Sequence, residues 1–142
     1  MRRAISRYAP PLAVMALIYA LSATPDLSSG LGRWDLLLRK LAHISIFAAL
    51  WLTLTRATHW RRPILATAIA LLYASSDEYH QTFVHGRHGT PVDVAIDAFG
   101  MGVAALAWVV AARRRGEPGP PWPLRGGGGA VAAGAATDSP AA

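Results

Sequence analysis

The chain has 142 residues, enough for one compact domain, and 53% of them are hydrophobic while only 15% are charged. An average soluble domain carries about 25% charged residues, so the composition indicates a membrane protein. The net charge of +6 would suit a nucleic-acid binder, but the arginines stand in short clusters beside apolar blocks and no nucleic-acid module is recognisable. We therefore expect no nucleic-acid partner. Since the chain has no cysteine, disulfides and thiolate metal sites are excluded.

Four apolar blocks follow one another along the chain. They cover residues 8–23, 36–55, 63–79 and 92–112. A helix that crosses a bilayer needs roughly 20 mostly apolar residues, and in the first block Pro10 and Pro11 suit a first helical turn. The blocks predict an all-α fold, a four-helix transmembrane bundle that forms one membrane domain over residues 1–115.

The two ends of the chain need separate interpretations. The arginines, the apolar stretch and Ala20-Leu21-Ser22 also fit a cleavable signal peptide, and cleavage would leave the orientation of the other three helices unchanged. Residues 116–142 are rich in Gly, Ala and Pro. Such a composition cannot bury enough apolar surface to fold, so this tail is predicted to be disordered.

The arginines predict the orientation of the bundle. Four spans place the N-terminus, the 56–62 turn and the residues after the fourth block on one side of the membrane. Nine arginines lie on that side: Arg2, Arg3, Arg7, Arg56, Arg61, Arg62, Arg113, Arg114 and Arg115. The positive-inside rule then makes this side cytoplasmic, with both termini inside a bacterial cytoplasmic membrane.

With this topology, polar residues from distant parts of the sequence reach the extracytoplasmic ends of the helices. The candidate functional residues are Lys40, His43, Ser76, Asp77, Glu78, Gln81, Arg87, Asp93 and Asp97. Ionisable residues inside spans are candidates for function by default. Trp34 and Trp60 fit interfacial anchors.

Helix spacing predicts how the last two helices pack. Asp93 and Asp97 are four residues apart, and Gly100 and Ala104 continue nearly the same stripe. A second small-residue stripe, Ala66, Ala70 and Ala74, runs along the third block. Small residues permit close helix approach, so the third and fourth helices are predicted to pack tightly, with both acids turned inward.

Most of these residues also have a structural interpretation. Thr90-Pro91-Val92-Asp93 fits a helix start with Thr90 as the cap and an acid at N3. Asp97 is interpreted as the partner of Lys40 or Arg87. His80, His85 and His88 are predicted to be solvated. A metal site of His43, Glu78, His80 and Asp97 is conceivable, but no HExxH-like spacing supports it and no metal is expected.

The spacing of these residues carries a resemblance to a known family. Lys40-x-x-His43, the run Ser76-Asp77-Glu78-x-x-Gln81-x-Phe83, Gly86-Arg87, and Asp93-x-x-x-Asp97-x-x-Gly100 together resemble the VanZ-like family of bacterial membrane proteins. In that family proline usually precedes the Gly-Arg pair, where this chain has His85. Asparagine often stands at the position of Asp97, and serine near that of Thr90. The resemblance implies a multi-span protein of the bacterial cell envelope whose namesake is associated with teicoplanin resistance.

Three functions remain open from the sequence. The first is a binding site for an envelope lipid, a lipid-linked wall precursor or an amphiphilic drug, with Lys40 and Arg87 on anionic groups. The second is an enzyme acting on an envelope lipid, with His43 or Glu78 as general base and Ser75 or Ser76 as nucleophile. The third is a charge cluster that only locks the bundle. The sequence does not identify a cofactor.

Overall fold

The computed structural model describes residues 2–25 and 33–116, and within these ranges the chain forms helices and turns without a strand. The four helices are α1 (Arg2–Ser22), α2 (Arg33–Ala57), α3 (Pro63–Gln81) and α4 (Pro91–Arg114). This confirms the all-α, four-helix prediction. The predicted tail over residues 116–142 lies, except for Gly116, outside the described residues.

The first helix begins earlier than predicted. Pro10 and Pro11 lie in the interior of α1, so the prediction that they occupy a first turn is wrong. The preceding turn is anchored to the bundle because the Nε of Arg7 donates to the carbonyl of Ala57 on α2. Proline is tolerated inside membrane helices because neighbouring groups and local adjustment satisfy the freed carbonyls.

The second helix lies at the centre of the bundle and packs against the other three. Its buried side chains Phe47, Leu50 and Trp51 form the middle of the hydrophobic core. The other helices complete this core with Ile18, Ala70, Ala74, Met101 and Ala104. Two polar contacts tie helices together at this depth: Trp51 Nε1 donates to Thr67 Oγ1 at 2.8 Å, and Tyr73 Oη donates to the Met15 carbonyl at 2.6 Å.

The fourth helix packs most extensively on α2 rather than on α3. A Cβ added at Gly100 would lie 2.4 Å from the Ile44 carbonyl oxygen, so the backbones of α2 and α4 approach closely at this glycine. The prediction that α3 and α4 form the tight pair is therefore wrong in its choice of partner. Gly100 of α4 admits the backbone of α2, while Ala66, Ala70 and Ala74 on α3 are buried.

A short turn connects α2 to α3. His59 and Trp60 both have positive φ, 53° and 61°, which is uncommon for residues other than glycine. The Trp60 ring stacks on Trp108 of α4, with ring centroids 5.3 Å apart. This contact fixes the turn against the end of α4.

Three of the helices are long and apolar enough to cross a membrane: Ala4–Ser22, Leu37–Ala57 and Pro91–Arg114. The third helix has 19 residues, but its last turns carry Asp77, Glu78, His80 and Gln81, which lower its mean hydropathy. Its exposed face is nevertheless apolar and includes Ile64, Leu65, Ile69 and Leu72.

Candidate functional site

Polar side chains from all four helices meet at one end of the bundle. We call this set the polar cluster; it consists of Ser22, Lys40, His43, Asp77, Glu78, Gln81, Arg87, Asp93 and Asp97. All the candidate residues named from the sequence belong to it except Ser76. Four of its acids are buried, and Asp97 is completely inaccessible, which is unusual for carboxylates.

The cluster is organised around the start of α4. Thr90 is the N-cap, its Oγ1 accepts the Asp93 backbone N–H at 3.2 Å, and Pro91 follows in the first turn. This confirms the cap predicted from the sequence. In a capping box the N3 acid also accepts the N-cap backbone N–H, but here Glu78 of α3 does so, at 2.9 Å. The loop before α4 is thereby fixed to the end of α3.

The carboxylate of Asp93 is consequently available for α2. Its Oδ1 accepts from Lys40 Nζ, and its Oδ2 accepts from the Thr90 hydroxyl at 2.9 Å. One turn deeper, Asp97 Oδ1 lies 2.9 Å from His43 Nδ1. The interpretation that pairs Asp97 with Lys40 or Arg87 is therefore wrong, since Lys40 reaches the outer acid and the shorter His43 side chain reaches the inner one.

The sequence suggests that Arg87 binds an anionic group of a ligand. In the structure its side chain binds backbone carbonyls near the end of α1 instead. Its Nη2 donates to the Leu21 carbonyl at 2.7 Å, and its Nε donates to the Thr24 carbonyl at 3.2 Å. These carbonyls lie at the C-terminal end of α1, where cations are favourable. Burial, and then the nearby Arg39, lower the pKa of Arg87, but a guanidinium stays charged at neutral pH.

Asp77 is held by neutral donors. Ser22 Oγ donates to Asp77 Oδ2 at 2.8 Å, and Gln81 Nε2 donates to the same oxygen at 3.0 Å. This arrangement ties the last residue of α1 to the last turn of α3. Sequence reasoning missed Ser22, because a serine at the end of an apolar block fits a loop or a cleavage site equally well.

The serines and histidines outside the cluster differ in their surroundings. Ser75 and Ser76 are exposed and donate to carbonyls of their own helix, so neither is placed as a nucleophile beside His43. His85 and His88 are exposed in the loop, as predicted. His80 is different: it lies inside α3, half-buried, and its ring stacks on Tyr19 of α1 with centroids 5.0 Å apart.

Two cavities adjoin the cluster. The polar cavity, about 350 Å³, is bounded by α2 and the α3–α4 loop; Asp35, Arg39, Lys40, His43 and Asp93 are among its lining residues. The apolar cavity, about 150 Å³, lies between α1 and α2 and is lined mainly by Ile18, Leu21, Ala42, Ile46 and Phe47.

The two cavities share Arg39, His43 and Arg87 in their walls. Arg39 was not among the candidates chosen from the sequence. Its spacing four residues after Asp35, with which it forms an ion pair of 2.9 Å, suggests only a solvated helix face.

Three potential metal ligands lie together inside the cluster. His43, Glu78 and Asp97 each offer one ligand atom, and these atoms are within 4.8 Å of one another. Asp97 Oδ2 is buried and has no hydrogen-bond partner among the described residues. The geometry therefore combines a histidine that lines both cavities with two buried carboxylates behind it.

Comparison with known proteins identifies the family of the chain. The family model of VanZ/LLP1 matches residues 4–112, a range that contains nearly all of the four helices and the whole polar cluster. No curated protein and no solved structure matches the chain. Because the matched range covers most of the 142 residues, the chain is a member of the VanZ/LLP1 family.

Proposed function

We propose that the polar cluster and its two cavities bind an amphiphile of the bacterial cell envelope, with the headgroup in the polar cavity and the start of an acyl chain in the apolar one. The observation that carries this proposal is the junction of the two cavities at Arg39, His43 and Arg87. A headgroup at this junction would contact the charged side chains while its chain enters the space between α1 and α2.

The dimensions agree with such a ligand. A polar cavity of about 350 Å³ falls within the range of small-molecule sites. An apolar cavity of about 150 Å³ is comparable to one that holds benzene, enough for a few methylene groups beside the surrounding lipid.

The charges favour an anionic headgroup. Arg39, Lys40 and Arg87 line the polar cavity, against the two acids Asp35 and Asp93. Arginine is suited to phosphate and carboxylate because its planar fork presents paired donors. The ligand class is therefore a membrane phospholipid, a lipid-linked wall precursor or an amphiphilic drug with an acidic group.

The proposed location is the extracytoplasmic face of the cytoplasmic membrane. The polar cluster lies at the end of the bundle opposite the nine arginines, which the positive-inside rule assigns to the cytoplasm. This placement requires α3 as a fourth span, and its apolar exposed face supports that role. The contacts of Asp77 with Ser22 and of Arg87 with Leu21 favour retention of α1 as part of the site.

An enzyme acting on the same amphiphile is the second candidate. The hydrogen bond from His43 Nδ1 to Asp97 would orient the ring and favour proton acceptance at Nε2, as in a general base. The family resemblance adds the proposal that occupancy of this site alters tolerance to the glycopeptide teicoplanin.

The test is lipid analysis of the protein purified in mild detergent from bacterial membranes. We expect one acidic amphiphile class to co-purify with the parent and to fall about tenfold in Arg39→Ala and in Ala42→Phe, which fills the apolar cavity. Arg61→Ala, at the opposite end, and Ser45→Phe, nearby on α2 but outside the cavity walls, should retain it. If all five proteins carry the same bulk lipid, the binding proposal is wrong.

A further inference from the structure

We propose that His43, Glu78 and Asp97 form a binding site for a first-row divalent cation, with Zn²⁺ as the representative ion. The three residues come from α2, α3 and α4, and their potential ligand atoms lie within 4.8 Å of one another. The search for a sequential motif missed them, because a site assembled from three helices leaves no HExxH-like spacing.

The strongest independent observation is the free oxygen of Asp97. This residue is completely inaccessible, and its Oδ2 accepts no hydrogen bond from any described residue. Buried polar atoms without a partner are rare, because leaving one unpaired costs roughly 1–3 kcal/mol. A cation beside His43 and Glu78 would supply the missing partner.

The other two residues also retain ligand capacity. Glu78 Oε2 accepts the Thr90 N–H, but its Oε1 has only a long 3.5 Å contact with Gln81. His43 Nδ1 faces Asp97 Oδ1 at 2.9 Å, and the neutral tautomer that carries its proton on Nε2 keeps a lone pair on Nδ1. An ion bound there would lie between the ring and the Asp97 carboxylate.

The charge balance of the cluster supports a cation at this position. Lys40 is taken up by Asp93, and the Arg87 donors are directed to carbonyls of α1. Asp77, Glu78 and Asp97 are all buried, with His43 as the basic side chain hydrogen-bonded among them. Buried carboxylates require compensation, which a divalent ion would provide.

The donor set selects the kind of metal. Imidazole favours zinc and its first-row neighbours over magnesium and calcium, which prefer oxygen ligands alone. Three protein ligands leave one coordination position open in a tetrahedral zinc site. His43 lines both cavities, which gives the ion a route from solvent. This inference does not rest on the amphiphile proposal, since the ligands are all residues of the chain.

The test is metal uptake by the purified full chain after chelation and dialysis against Zn²⁺. We expect about one zinc per chain in the parent by plasma mass spectrometry, and at least a tenfold loss of affinity in His43→Gln, Glu78→Gln and Asp97→Asn. His85→Gln is the matched control, because it removes an exposed loop histidine that lies outside the three ligands and outside both cavity walls, and it should bind as the parent does.

A second readout separates a built site from folding effects. Co²⁺ bound to the parent should give visible d–d absorption bands that Glu78→Gln abolishes, while circular dichroism and elution volume stay those of the parent. Absence of stoichiometric zinc and of cobalt bands in the folded parent would overturn the proposal. So would an equal loss in His85→Gln, which would mean that exposed histidines hold the ion rather than the three buried ligands.

Discussion

At the level of single residues, Glu78 substitutes for a missing part of the α4 cap. By accepting the Thr90 backbone N–H, it performs the task that an N3 acid performs in a capping box, and the actual N3 acid, Asp93, pairs with Lys40 instead. One helix start is therefore stabilised by a side chain from the preceding helix.

This exchange predicts different effects for two substitutions at Glu78. Glu78→Gln keeps a carbonyl oxygen that accepts the Thr90 N–H. Its free energy of unfolding should therefore stay within about 1 kcal/mol of that of the parent. Glu78→Ala leaves that N–H without its acceptor and should cost roughly 1–3 kcal/mol. Denaturant unfolding in detergent measures both, and equal stability of the two variants would contradict the capping role.

The pair of Lys40 and Asp93 predicts a compensating double substitution. Lys40→Met leaves a largely buried acid without its cation, and we expect a loss of roughly 1–3 kcal/mol, between the values for surface and buried pairs. Asp93→Asn added to it removes the unpaired charge and should restore more than half of the loss. A double variant as unstable as the sum of the two single ones would show that the pair has no coupling energy.

At the level of helices, the approach of α2 and α4 depends on one glycine. A Cβ at Gly100 would meet the backbone of Ile44, whereas a Cβ at Gly102 would have no atom within 4 Å. The two positions lie two residues apart on the same helix, so helix propensity affects both equally and only the contact differs.

We therefore expect Gly100→Ala to lower the unfolding free energy by roughly 1–3 kcal/mol through overpacking, while Gly102→Ala is neutral or slightly stabilising. Thermal unfolding followed by circular dichroism compares them directly. Tolerance of alanine at both positions would mean that α2 and α4 are not in close contact at Gly100.

The helices illustrate what the sequence reveals and what it does not. Apolar block length predicts four helices, and Thr90-Pro91-Val92-Asp93 predicts the α4 cap, because both signals are local. The pairings of His43 with Asp97 and of Arg87 with the end of α1 were not predicted, since they depend on which helix faces which. The stripe containing Gly100 indicates a close approach, but small residues carry no information about the identity of the partner helix.

At the level of the whole molecule, the number of spans decides where the polar cluster lies. Four crossings place the 56–62 turn and the loop containing His88 on opposite sides of the membrane. If α3 did not cross, both segments would lie on the same side. The natural chain has no cysteine, so single introduced cysteines report their own position without background.

We expect His88→Cys to react with a membrane-impermeant maleimide in intact cells, and Arg61→Cys to react only after permeabilisation. Both residues are exposed, so poor access within the protein cannot explain a failure to react. Labelling of both cysteines in intact cells, or of neither, would show that α3 does not span the membrane.

The central position of α2 also matters while the chain is being synthesised. The acids that pair with Lys40 and His43 lie 53 and 54 residues further along the chain, on the last of the described helices. Until α4 emerges from the ribosome, the nascent chain carries the basic groups of α2 without the carboxylates that pair with them. The charge pairs therefore cannot form before α4 is made, and a product truncated before α4 should be a substrate for membrane quality-control proteases.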